Sequence, residues 1–367
     1  MLNPRVLIVT NSSDYRDSLL WIKLLRKNES IDFVGPAPKD LATSTTWTAE
    51  FENRTHLLRS RSPASHSSMW LSGLPALLSD RTYDLVHFVF EPWSLIPSFL
   101  GNRITYVIHG AENVIVDAPR TLRLRRIGIR RVLNNAGGVA AWGQTSMNEF
   151  LAIRNAIPVP TLVFPSSPPV RPLEDSIPRR IENQRLRIGA YGRLIPEKGF
   201  HTLLDAIQMP GLEKAEVRIM GDGRDRQRLK NHKTVSEGRA QILSHGDSTA
   251  VAKLLAWSDV VVIPSESTHS WKEQWGRTAV ESMLADKPTI VANSGELPYI
   301  QPDLSLQFMP GDAFSLSRIL KSFLEDGDEL LAASASSILN SRRFHLDVLA
   351  EQVETFWNQI HTNKTSN

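Results

Sequence analysis

Leu186-Arg187-Ile188-Gly189-Ala190-Tyr191-Gly192-Arg193-Leu194-Ile195-Pro196-Glu197-Lys198-Gly199 is the stretch on which the fold turns. An apolar run of strand length, Leu186 to Tyr191, ends at a glycine that permits a tight exit, and the loop behind it opens a helix. The same order repeats in both directions. Upstream, strands are expected at Arg5 to Thr10, Ile31 to Gly35, Asp84 to Phe90, Ile104 to His109, Gly138 to Trp142 and Thr161 to Phe164. Downstream they are expected at Glu216 to Met220, Ala240 to Leu243, Asp259 to Ile263 and Pro288 to Ala292, with a weaker one at Leu306 to Met309. Amphipathic stretches separate them, which is the pattern of a parallel sheet with helices on both faces. The class is therefore α/β, with two similar Rossmann-like domains in tandem.

The boundary falls where Ser166-Ser167-Pro168-Pro169, Pro172 and Pro178 resist both helix and sheet. This divides the chain into an N-terminal domain at 1–170, a linker at 171–184, a C-terminal domain at 185–345, and a helix with its tail at 346–367. In that last segment Leu349, Val353, Phe356 and Ile360 share one helical face, so the helix is expected to pack back on the N-terminal domain. The stretch from Pro36 to Ser68, rich in Ser, Thr and charge, shows no periodicity and reads as long loops.

Composition narrows the functional classes. The 367 residues suffice for two domains, and the apolar fraction of 41% with 22% charged residues is that of a soluble globular chain. No apolar run is long enough to span a bilayer, and Met1 to Thr10 has no signal-peptide character, so a cytoplasmic protein is expected. The absence of cysteine excludes disulfides, thiolate metal sites and a cysteine nucleophile. Residues 1–180 hold 21 Lys and Arg against 15 Asp and Glu, while the remainder holds 21 against 24, so the +3 of the whole chain conceals a basic first half. The run Arg120, Arg123, Arg125, Arg126, Arg130 and Arg131, on an expected helix, accounts for the excess. It suits either an anionic membrane surface or a solvated face. Without interleaved aromatic residues it does not suit nucleic acid.

Three constellations carry chemistry. Arg193 offers a planar fork and Lys198 a mobile point charge just after Gly192, a pairing suited to a diphosphate. Glu273-Gln274-Trp275-Gly276-Arg277-Thr278-Ala279-Val280-Glu281 sets two carboxylates eight positions apart across the expected start of a helix. Gly276 there admits close approach to the backbone, and the first amides, around Arg277 and Thr278, would face an anion. Gly221-Asp222-Gly223 follows a strand, but Arg226 stands where a dinucleotide fingerprint would place its third glycine. No P-loop is present, and the expected chemistry calls for no metal, since side-chain cations would take the place of the ion.

In order along the second half, Gly192, Arg193, Lys198 and Gly199, then Gly221 and Gly223, then Pro264 and Ser265, then Glu273 and Glu281 resemble the motifs of glycosyltransferase family 4, the group 1 retaining enzymes of GT-B fold. The resemblance implies a donor and acceptor site in the cleft between the domains. It implies that Arg193 and Lys198 bind the donor pyrophosphate, Glu273 the transferred sugar and Glu281 the ribose. Gly276 and Thr278 would offer amides to the phosphate, and Gly246 would lie near the base. The co-substrate would be a UDP- or GDP-sugar, with no other cofactor. The acceptor would be a sugar, a lipid-linked group or a small molecule, in polysaccharide, glycolipid or glycoconjugate synthesis at the inner membrane face.

In the first half the resemblance rests on topology and on His109, at the end of the strand Ile104 to Ile108, where relatives carry a histidine facing the donor sugar. Glu91, Glu112 and Asn113 are candidate acceptor contacts. One departure stands out: many relatives have paired glycines after the first strand, whereas this chain has Asn11-Ser12-Ser13-Asp14-Tyr15-Arg16. Two alternatives remain, a sugar-nucleotide epimerase of the same fold and a non-catalytic sugar-nucleotide-binding subunit.

Overall fold

The computed structural model describes residues 4–10, 19–36, 51–58, 60–61, 70–71, 74–79, 83–89, 105–110, 123–154, 157–164, 185–269 and 271–365. They form two compact units, Met1–Ser167 together with Leu346–Asn367, and Pro168–His345.

The first unit is built on strands β1 (Val6–Thr10), β2 (Ile31–Pro36), β3 (Thr55–Leu58), β6 (Leu85–Val89), β7 (Thr105–Gly110), β8 (Gly138–Ala141) and β9 (Thr161–Val163), with a small antiparallel pair, β4 (Ser60–Arg61) and β5 (Trp70–Leu71). The main sheet runs β3-β2-β1-β6-β7-β8-β9 and every neighbouring pair in it is parallel. Strands such as Val6–Thr10 and Leu85–Val89 are buried along their whole length, as a sheet covered on both faces requires. Its helices are α1 (Leu19–Lys27), α2 (Leu74–Ser79), α3 (Arg123–Asn135) and α4 (Gln144–Ile153).

The expected strands all appear, with ends shifted by a residue or two. The stretch read as loops needs correction, because β3 lies within it and adds a parallel edge to β2 through Phe33↔Thr55 and Val34↔His56. Thr-His-Leu-Leu is too short and too polar to announce itself, and as an edge strand it takes its hydrogen bonds from one side only.

The expected return of the C-terminal helix is observed. Leu349, Val353, Phe356, Trp357 and Ile360 sit in one apolar cluster with Val6, Ile8, Trp21, Leu24 and Phe33. The face predicted from spacing is the buried one, with Trp357 added to it. Trp357 also donates its indole N–H to His87 Nδ1 at 2.9 Å, which fixes His87 as the neutral tautomer protonated on Nε2.

His87 and His109 face each other in this cluster, ring centroids 5.3 Å apart, against Trp21 and Phe164. Burial holds His87 well below the ordinary imidazole range, with His109 adding to the shift. Burial likewise lowers His109 to about 3, opposed only by the Phe164 backbone. Both rings are neutral in the folded state, whereas an unfolded chain protonates them near pH 6.5. Their contribution is therefore complete above that pH and is lost as the pH falls toward the folded values. Each imidazole should weaken the fold by about 1.4 kcal/mol per pH unit below 6.5. Thermal unfolding followed from pH 7 to pH 5 should show a falling midpoint, which a His87→Gln variant makes shallower; a flat wild-type profile would contradict this burial.

The second unit is a six-stranded parallel sheet in the order β12-β11-β10-β13-β14-β15, formed by β10 (Leu186–Tyr191), β11 (Ala215–Met220), β12 (Ala240–Leu243), β13 (Val260–Ile263), β14 (Thr289–Ala292) and β15 (Gln307–Phe308). Between and after the strands come α5 (Phe200–Ala206), α6 (Arg226–Lys230), α7 (Lys233–Ser236), α8 (Ser248–Trp257), α9 (Arg277–Leu284), α10 (Leu297–Ile300), α11 (Ala313–Glu325) and α12 (Gly327–Ser341). The last helix of the chain is α13 (Leu346–Thr365). Chain order reverses at β10, which pairs with β11 on one side and β13 on the other. Open α/β sheets bind ligands beyond the C-terminal ends of the strands flanking such a reversal.

Candidate functional site

At that reversal a cleft of about 610 Å³ opens, within the range of small-molecule sites. Four segments wall it: Tyr191, Gly192, Arg193 and Lys198 from the exit of β10, Met220 and Asp222 from β11, His245 to Ser248 with Val251 after β12, and Arg277, Thr278 and Glu281 from α9. Arg193, Lys198 and Arg277 thus converge on one space with the first turn of α9. The cap of that helix is Gly276, at φ 60° and ψ 37°, left-handed backbone that costs glycine nothing. This is why the helix starts at Arg277. Its opening amides and the three cations give the cleft an anion-binding character.

The two glutamates are held differently. Glu281, on α9, is buried and oriented at both oxygens: Arg277 Nε donates to Oε1 at 2.7 Å, and the Tyr191 hydroxyl donates to Oε2 at 3.1 Å. Burial, reinforced by the neighbouring Glu281 charge, pushes the Tyr191 phenol well above its ordinary value, so it remains a donor. Glu273 precedes the helix. Its Oε2 accepts from Lys198 Nζ at 2.5 Å and from Ser265 Oγ at 2.7 Å. The Lys198 and Glu273 side chains are only 15% and 11% exposed, so this is a largely desolvated ion pair. The ammonium also lies 5.5 Å from the centre of the Trp271 ring. Behind it, Glu296 N–H donates to Glu273 O at 2.9 Å and locks the loop against the turn after β14.

Of the residues singled out from sequence, Gly192, Arg193, Lys198, Gly246, Thr278 and Glu281 line the cleft, Gly276 caps its helix, and Glu273 joins it through Lys198. Spacing gave no notice of Tyr191 and Ser265 as partners of the glutamates, nor of Glu296. His109 stands at the end of β7 as expected, but its ring is fully buried among Trp21, His87, Trp142 and Phe164. Glu91, Glu112, Asn113 and the loop Asn11 to Arg16 lie outside the described residues. So does Arg120; Arg123, Arg125, Arg126, Arg130 and Arg131 fall on α3, where Arg130 and Arg131 are exposed. Among the described residues, no group of three or more His, Asp or Glu is placed to hold a metal ion, and no helix is long and apolar enough to cross a membrane.

Several solved structures share this fold. HepE from Anabaena in complex with UDP is 18% identical with a TM-score of 0.66, covering 99% of this chain and 100% of that one. Sucrose-phosphate synthase from Thermosynechococcus elongatus is 17% identical with a TM-score of 0.67, over 98% and 100%. A glycosyltransferase from Rickettsia africae is 14% identical with a TM-score of 0.68, over 99% and 100%. At these identities the likeness is one of fold, the two-sheet α/β architecture of GT-B glycosyltransferases. No curated protein sequence is significantly similar to the chain. Residues 174–337, the stretch that carries Gly192, Arg193, Lys198, Glu273 and Glu281, match the family of group 1 glycosyl transferases.

Proposed function

We propose that this protein is a retaining glycosyltransferase of family 4 that moves a sugar from a nucleoside diphosphate, UDP in first place, to an acceptor hydroxyl without a metal. The observation that carries the reading is the convergence of Arg193, Lys198, Arg277 and the start of α9 on one cleft beside an oriented Glu281. That arrangement fits a diphosphate continued by a ribose, since carboxylates accept paired hydrogen bonds from vicinal hydroxyls. Glu273 takes the sugar side. The UDP-bound likeness of HepE supports uracil as the base.

In the reaction the anomeric C–O bond to the diphosphate breaks, and the acceptor oxygen bonds to the same face of the sugar. The acceptor proton passes to the departing phosphate oxygen. Arg193, Lys198, Arg277 and the helix amides stabilise the charge that develops there, the part a metal plays elsewhere. His109, neutral and a weak base, is assigned a supporting place at the end of β7 and no proton transfer. The acceptor is a sugar or lipid-linked group in polysaccharide, glycolipid or glycoconjugate synthesis, reached from the cytoplasm. Exposed Ile127, Arg130 and Arg131 on α3 suit contact with an anionic membrane. The group 1 family match disfavours the epimerase alternative.

A thermal-shift panel of UDP-, GDP- and ADP-sugars tests the reading. The true donor at a hundred times its Kd should stabilise the protein by about 2.7 kcal/mol. A panel in which no nucleotide raises the melting temperature would sink it.

A further inference from the structure

Arg226 occupies the place that disqualified a dinucleotide fingerprint, and the structure gives it a task. Its Nη1 donates to Gly221 O at 2.6 Å and to Leu243 O at 3.0 Å, and its Nη2 donates to Ser244 Oγ at 3.2 Å. These acceptors stand at the exits of two neighbouring strands, β11 and β12, where Met220 pairs with Leu243. The next residues along each strand wall the cleft: Asp222 beyond Gly221, and His245 and Gly246 beyond Ser244. Arg226 itself does not line the cleft, so it acts through the residues it holds.

The clamp matters because β12 is the edge strand, four residues long and hydrogen-bonded to β11 alone. At its exit the Gly221 N–H to Leu243 O bond, 3.3 Å long, and the guanidinium tie it to β11 beyond the last ladder pair. A planar fork can hold carbonyls on two strands together; an ammonium on a flexible stem cannot. The remaining walls hang on other elements, Arg193 and Lys198 on β10, and Arg277 and Thr278 on α9.

We infer that Arg226 is a positioning residue for the nucleotide base: by tying the exits of β11 and β12 it sets the loop His245–Asp247 against the nucleoside end of the cleft. The inference rests on the proposed nucleotide-sugar reading. Its consequence is selective, because loosening the β12 exit should weaken contacts to the nucleoside and leave those to the diphosphate alone.

The experiment measures binding of UDP and of inorganic pyrophosphate to wild type, Arg226→Met and Arg226→Lys by calorimetry, with KM and kcat for UDP-glucose where transfer or hydrolysis is detected. Arg226→Met should weaken UDP about tenfold, hold pyrophosphate within about twofold, and raise KM at nearly constant kcat, the signature of lost uniform binding. Arg226→Lys, which keeps the charge and reaches one carbonyl, should show a smaller loss of the same kind and serves if the methionine variant fails to fold. Equal losses for UDP and pyrophosphate, or no loss for UDP, would overturn the inference. Wild-type protein that binds pyrophosphate but no nucleoside diphosphate would overturn the nucleotide reading with it.

Discussion

Lys198→Met should reduce transfer by about a thousandfold and destabilise the second unit by about 2–3 kcal/mol, and the two losses should separate in a double variant. The first follows from removing a cation aimed at the leaving diphosphate, in a site where Arg193 and Arg277 are both exposed and the largely buried Lys198 is the least hydrated cation. The second follows from leaving Glu273 largely buried with Ser265 as its one remaining partner at Oε2 among the described residues. Adding Glu273→Gln removes the orphaned charge, so stability should return most of the way, while transfer stays lost because neither the phosphate nor the sugar contact is restored. Chemical denaturation and initial rates on the two single variants and the double read this as a coupling energy. Wild-type transfer by Lys198→Met would end the diphosphate assignment. Undiminished stability would show that the ion pair contributes nothing to the fold.

Gly295→Ala should be almost as damaging, at a position that does not line the cleft. A methyl built on Gly295 would stand 1.9 Å from Glu273 O and 2.8 Å from that residue's C and N, all backbone atoms that cannot rotate away. The backbone there has φ 56°, so the alanine would also be strained. Relief requires moving the Glu273 segment off the turn that Glu296 N–H now fastens to it. We expect a stability loss of about 3 kcal/mol, from overpacking and strain together. Displacement of the Glu273 carboxylate by about 1 Å should cost about a hundredfold in rate. Gly238→Ala is the control: φ is 75° but nothing lies within 4 Å, so it should lose about 1 kcal/mol and no activity. Similar losses for both glycines would mean that strain alone, and not the contact with Glu273, sets the effect.

What the sequence discloses and what it withholds divide along a physical line. Strands such as Val6–Thr10 and Val260–Ile263 are legible because a strand buried on both faces must be apolar throughout. The α13 face is legible because its period is helical. Glu273 and Glu281 are legible as a spacing across a helix start. Lys198 and Glu273 are 75 positions apart, however, and no local pattern says that they neutralise each other. Tyr191 reads as the last residue of an apolar strand, and only the packing of α9 on β13 and β14 brings Glu281 to its hydroxyl. Arg226 reads as a failed glycine, because its use depends on two carbonyls brought side by side by strand pairing. His109 reads as a strand-end polar residue, and its burial depends on Trp21 and Phe164 arriving from distant parts of the chain.

The return of α13 to the first unit bears on the order in which the chain folds as it is synthesised. The second unit is one continuous segment, complete in principle once His345 has emerged from the ribosome. The first unit has its sheet by Phe164, but the apolar face that Val353, Phe356, Trp357 and Ile360 cover stays bare until the whole second unit has been translated. At about 5–20 residues per second that interval is on the order of ten to forty seconds. During it the first unit presents an open apolar groove and an imidazole, His87, that has not yet met its indole donor. It is the natural point for a chaperone to engage the nascent chain.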